Sequence, residues 1–153
     1  MSIDQRLAEL GITLPQPAAP VAAYVPAVEH DGMLHISGQI SFAEDGSLIK
    51  GRLGDDVDIE AGIAAARRCG IMLLAQIKLA LGSLDRVERV VKLAVFVNST
   101  PDFVDQPKVA NGASELMQDV FGDAGKHARS AVGVAVLPLG VAVEVDAVIA
   151  VKR

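Results

Sequence analysis

The sequence predicts an α+β fold, with about six strands in a sheet, two helices on one of its faces and a short helix ahead of them. Three observations carry this reading. Residues 58–81 hold one apolar stripe (Ile59, Ile63, Ala66, Gly70, Leu73 or Leu74, Ile77, Leu81) at the three- and four-residue steps of a helix. Runs such as VERVVKLAVFVNS are rich in β-branched residues, which suit a pleated surface. The runs follow one another in the order β-β-(β)-α-β-α-β-β.

From the N-terminus, residues 2–10 read as a short helix that Ser2 or Asp4 can cap and Gly11 can end. LPQPAAP then blocks regular structure, because each proline fixes φ and removes a backbone donor. VAAYVPAVEH and MLHISGQIS follow as strands, and Asp31-Gly32 between them is a strong hairpin signal. A second turn at EDGS leads to a short strand around Ser47–Gly51. Asp56 or Asp58 can cap the long helix and Gly82 can stop it, with Arg67 and Arg68 turned to solvent. A second helix spans roughly Gln106 to Phe121, with Pro107 tolerable in its first turn and Gly122 as its stop. Two strands, about 128–136 and 141–151, are joined by LPLG and close the chain.

The 153 residues fit one domain over 1–153. Hydrophobic residues make up 51% of the chain but aromatics only 3%, so Val, Ala, Leu and Ile must fill the core. Mean hydropathy is +0.39, and a subunit interface is a reasonable place for the surplus aliphatic surface. Net charge is −5 and Lys and Arg are scattered, which leaves no footprint for a nucleic-acid backbone. No run of 18 apolar residues predicts a membrane span. The single cysteine, Cys69, suits a reducing, cytoplasmic setting.

The C-terminal stretch KHARSAVGVAVLPLGVAVEVDAVIAVKR is small and aliphatic apart from a few charges. By strand alternation Arg129, Ala131, Gly133 and Ala135 share one face of the first strand. Glu144 and Asp146 share one face of the second with Val148 and Ala150. A structural ion pair is the plain reading. A tight LPLG hairpin, however, would offset Arg129 from Glu144 by about 13 Å. Either the two strands are not neighbours, or each charge has a different partner.

HARSAVGVAVLPLGVAVEVDAVIAV resembles the C-terminal signature of the Rid (YjgF-type, L-PSP endoribonuclease-like) family, and Tyr24 precedes Ser37-Gly38-Gln39 as the family's tyrosine precedes its S-G-Q. The resemblance runs from about residue 20 to the end, leaving 1–19 as an N-terminal extension. It implies a chorismate-mutase-like fold of the Bacillus type, with a six-stranded mixed sheet, and a homotrimer with clefts between subunits. In that fold another strand separates the last two. It also implies hydrolysis of reactive imines and enamines to 2-oxo acids and ammonia, without cofactor or metal. Arg129 would bind the substrate carboxylate, and Glu144 would position or activate water. Tyr24, Ser37, Gly38, Ala131 and Asn111 would line the substrate site. A carboxylate-binding regulatory trimer is the alternative, and RNA cleavage a third reading that rests on the family's labels alone. The chain departs from the family pattern at Ala22-Ala23-Tyr24, where G-P-Y is usual, and at Ala131, often cysteine.

Other polar residues read as structural. His30, His35 and His127 are too dispersed for a zinc site, and His35 reads as a packed strand residue. Cys69 reads as a small core residue. Glu44, Asp45, Asp55, Asp56 and Asp58 read as turns and caps, and GRLGDD lacks the Lys-Ser/Thr ending of a phosphate loop.

Overall fold

A computed structural model describes residues 1–19 and 22–153. Among the described residues five strands, not six, form one sheet: β1 (Ala27–His30), β2 (Met33–Ile40), β3 (Val87–Asn98), β4 (Ala128–Val134) and β5 (Val143–Val151), in the order β1-β2-β5-β3-β4. Only β3 and β4 run parallel. The segment expected as a strand at Ser47–Gly51 makes single bridges, Leu48 to Phe42 and Lys50 to Val141. It is caught between the Asp45-Gly46 turn and Gly51 at φ 124°, too short to extend a ladder. The run expected as a strand from Val21 contracts to Ala27–His30; Val21 itself lies outside the described residues.

Asp31 and Gly32 both adopt positive φ (52° and 77°), the geometry whose twist matches a two-residue hairpin. They set His30 opposite Met33. Three helices follow the expected bounds: α1 (Ile3–Glu9), α2 (Ile59–Leu81) and α3 (Gln106–Phe121). The Asp58 carboxylate caps α2 by accepting from Ala61 N at 2.8 Å, and Gly82 at φ 81° ends it. α2 and α3 pack together on one face of the sheet, over Leu93, Val95, Val97, Val145 and Ile149. Gly112 of α3 lies against the carbonyl of Ile63, so the two helix backbones nearly touch.

The apolar surface of α2 is wider than a single stripe: every residue from Cys69 to Ile77 is buried. The N-terminal segment explains this. A Ser2–Gln5 capping box starts α1, and Ile3 N donates to Asp85 Oδ1 at 2.8 Å. Leu7 is buried, and Leu10, Ile12 and Leu14 pack against the core. Arg68, expected in solvent, is half-buried and donates from Nε to the Phe42 carbonyl at 2.8 Å. No helix among the described residues is long and apolar enough to cross a membrane.

Candidate functional site

β3 lies between β4 and β5, so Arg129 and Glu144 are not hairpin partners. Register then separates them further. Arg129 stands beside Leu93 and, across β3, Ala147, in a row that faces the helices. Glu144 stands beside Phe96 and Ile40, in a row that faces away from them. Three residues along β5 and two strand spacings across place the two backbones about 14 Å apart. One chain therefore presents two candidate half-sites, on opposite faces of the sheet.

The first half-site is built on β4 and α3. Arg129 Nη1 donates to Asn111 Oδ1 at 2.8 Å and to Ser114 Oγ at 3.2 Å. Asn111 and Ser114 are three residues apart on α3 and so share a face. Ser114 Oγ also meets His127 Nε2 at 2.8 Å, and His127 Nδ1 meets the Gly125 carbonyl at 2.6 Å. A carbonyl can only accept, so Nδ1 carries the hydrogen. In the neutral ring Nε2 then accepts from the Ser114 hydroxyl, whose oxygen accepts from Arg129. This relay fixes one end of the guanidinium. Among the described residues Nε and Nη2 make no hydrogen bond, which leaves the side-on edge of the fork open. Ala131, two residues on, faces the same way and packs against the core.

The second half-site is built on β2, β5 and the loop before β1. The register between β2 and β5 shifts between Ile36 and Gln39, so Ser37-Gly38 forms an irregularity in the ladder. Ser37 N donates to the Pro26 carbonyl and its Oγ to the Val25 carbonyl, both at 2.9 Å, which pins the loop carrying Tyr24. Tyr24 is 58% exposed. Gly38 abuts the carboxylate of Glu144. Burial raises the Glu144 carboxyl above the ordinary range, and the like charge of Asp146 adds to this. Asp146 is also raised by burial, while Lys92 pulls it back. A raised carboxyl is a stronger base once ionised.

The sequence reading does not single out Ser114 and treats His127 as structural, although His127 stands two residues before Arg129 and Ser114 three after Asn111. His35, expected to be packed, is exposed on the face away from the helices, beside Val28 and Val148. Among the described residues no three His, Cys, Asp or Glu side chains are placed to hold a metal ion.

Residues 4–149 match the family model described as "YjgF/chorismate_mutase-like, putative endoribonuclease". The chain belongs to the YjgF family. Within that family it is 53% identical to Protein TCP17 of Trypanosoma cruzi over 148 residues, 96% of this chain and 92% of that one. The crystal structure of Atu1372 from Agrobacterium tumefaciens, a protein described as of unknown function, is 43% identical with a TM-score of 0.90, covering 99% of this chain and 94% of that one. RidA from the Antarctic bacterium Psychrobacter sp. PAMC 21119 is 29% identical with a TM-score of 0.60, over 89% and 94% of the two chains.

Proposed function

We propose that this protein is a cytoplasmic enzyme that hydrolyses the imines and enamines of small 2-amino acids to 2-oxo acids and ammonia, in clefts between the subunits of a homotrimer. The observation that carries the reading is the state of Arg129. Asn111 and Ser114 occupy Nη1, and the edge left open is the one that meets a carboxylate in two parallel hydrogen bonds. Membership of the YjgF family and the likeness to RidA support it.

The separation of the half-sites is the argument for an intersubunit cleft. A substrate held at Arg129 meets Glu144 only if a second copy supplies it. Half-exposed Val28 and Val132 on the face away from the helices give that copy an apolar surface to cover. In the reaction, water adds its oxygen to C2 and passes one proton to Glu144, which delivers it to the imine nitrogen. A proton then moves from the new hydroxyl to the amine, the C–N bond breaks, and ammonia leaves with the bond's electron pair. Tyr24, Ser37 and Gly38 would shape the cleft around the attacking water, and Ala131 the space beside the carboxylate.

The test is ammonia release from an imino acid generated in place by an amino-acid oxidase. Wild-type protein should accelerate it and Arg129→Ala should not; equal rates would end the catalytic assignment. Binding of 2-oxobutyrate at Arg129 without turnover would instead identify a carboxylate-binding regulatory trimer. RNA cleavage, named in the family description, finds no support in a chain of net charge −5.

A further inference from the structure

A cavity of about 270 Å³ adjoins the Glu144 half-site, between the N-terminal segment (Ala18, Ala19), Tyr24, Gly38 and two residues of α2, Met72 and Gln76. It is smaller than the clefts of about 300–1,000 Å³ that take whole drug-sized ligands. It suits part of a metabolite rather than all of one. Pro26, Ile40 and Phe42 add apolar wall beside Gln39, so it favours a hydrocarbon stem. Gly38 and Tyr24 belong both to this cavity and to the half-site.

The cavity has one directed polar feature. Gln39 Nε2 donates to the Ser37 carbonyl at 2.9 Å, and Gln76 Nε2 donates to Gln39 Oε1 at 3.4 Å. The Ser37 carbonyl can only accept, which fixes the Gln39 amide with its nitrogen toward Ser37 and its oxygen toward Gln76. Gln76 must then point its own nitrogen at Gln39. Its carbonyl oxygen, Oε1, makes no hydrogen bond among the described residues and, in a residue only 6% exposed, is open to the cavity rather than sealed in the core. An acceptor left this way discriminates strongly between a ligand that donates to it and one that cannot, because the second leaves it unpaired.

We infer that this cavity is a specificity subsite, taking the distal end of the substrate's side chain and selecting a short apolar stem that ends in a hydrogen-bond donor such as a carboxamide. The inference rests on the carboxylate reading of Arg129. The N-terminal segment is then part of the site, because Ala18 and Ala19 form its outer wall.

The test uses three stable carboxylates with the full-length protein in calorimetric titrations. Succinamate and 4-methylpentanoate have the same shape, but only the first ends in a donor; pyruvate has nothing to reach the cavity. Wild-type protein should bind succinamate about tenfold more tightly than 4-methylpentanoate. Gln76→Met should abolish that ratio and leave pyruvate unchanged. Ala18→Phe, a change at an exposed position, should weaken both longer ligands and again spare pyruvate. Pyruvate binding with no preference in the wild type, or with a preference that survives Gln76→Met, overturns the subsite. No binding of pyruvate overturns the carboxylate reading itself, and this inference with it.

Discussion

Gly38 and Glu144 compete for one volume: a β-carbon on Gly38 would stand 2.8 Å from Glu144 Oε2 and 2.9 Å from its Cδ. Even alanine at 38 has to displace the carboxylate. Gly38→Ala should leave the thermal transition within a few degrees of wild type while kcat falls by about 10²-fold, the scale of a misplacement near 1 Å. Unchanged kcat would show that Glu144 does not act from this position.

The pH profile should carry the mark of the raised carboxyl. Glu144 acts ionised, so activity falls as pH drops through its folded-state value, which lies above the ordinary 4.5. Asp146→Asn removes a like charge and should move this acid limb to lower pH. The stability sign is opposite to that of a salt-bridged acid: Glu144 and Asp146 hold protons more readily folded than unfolded, so their contribution to stability grows as pH falls through the raised values. Rate and melting profiles of wild type and Asp146→Asn check both statements.

Ser114 orients Arg129 without occupying its open edge. Ser114→Ala should raise KM about tenfold with a smaller change in kcat, because ground-state carboxylate binding suffers first. A variant that lost stability but kept both kinetic constants would assign Ser114 to packing alone.

Shared sites predict complementation. Arg129→Ala and Glu144→Gln should each be inactive. After the two are mixed and subunits exchanged, half the clefts receive an intact Arg129 and half of those an intact Glu144, so about one quarter of wild-type activity should return. A site contained in one chain would return none.

Gly112 tests the helix pair. A methyl there meets the carbonyl of Ile63 and lies 3.1 Å from Arg67 N, both rigid backbone. Gly112→Ala should cost on the order of 1–3 kcal/mol, as overpacking does, and denaturant titration would register it.

The parts of this fold that were legible in the sequence are those with local causes. Asp31-Gly32 sets its hairpin by its own backbone preference, and Asp58 and Gly82 bound α2 by capping it. The EDGS turn predicts a strand at Ser47–Gly51, but a strand also needs partners along its length, and a turn does not report them. Alternation placed Arg129 and Glu144 each on the small-residue face of its own strand. It could not say that those faces are opposite, because the face of a strand is defined only by its neighbours' register. The Ser114–His127 contact links residues 13 apart through the approach of β4 to α3, and nothing in either stretch alone announces it.

The division of the half-sites also has a consequence for cells that carry two versions of this chain. In the proposed trimer, a copy lacking both Arg129 and Glu144 spoils two clefts, the one it should open with its arginine and the one it should complete with its carboxylate. At equal abundance such a copy would leave about one quarter of the clefts intact, against the half left by a copy that lacks only one of the two groups.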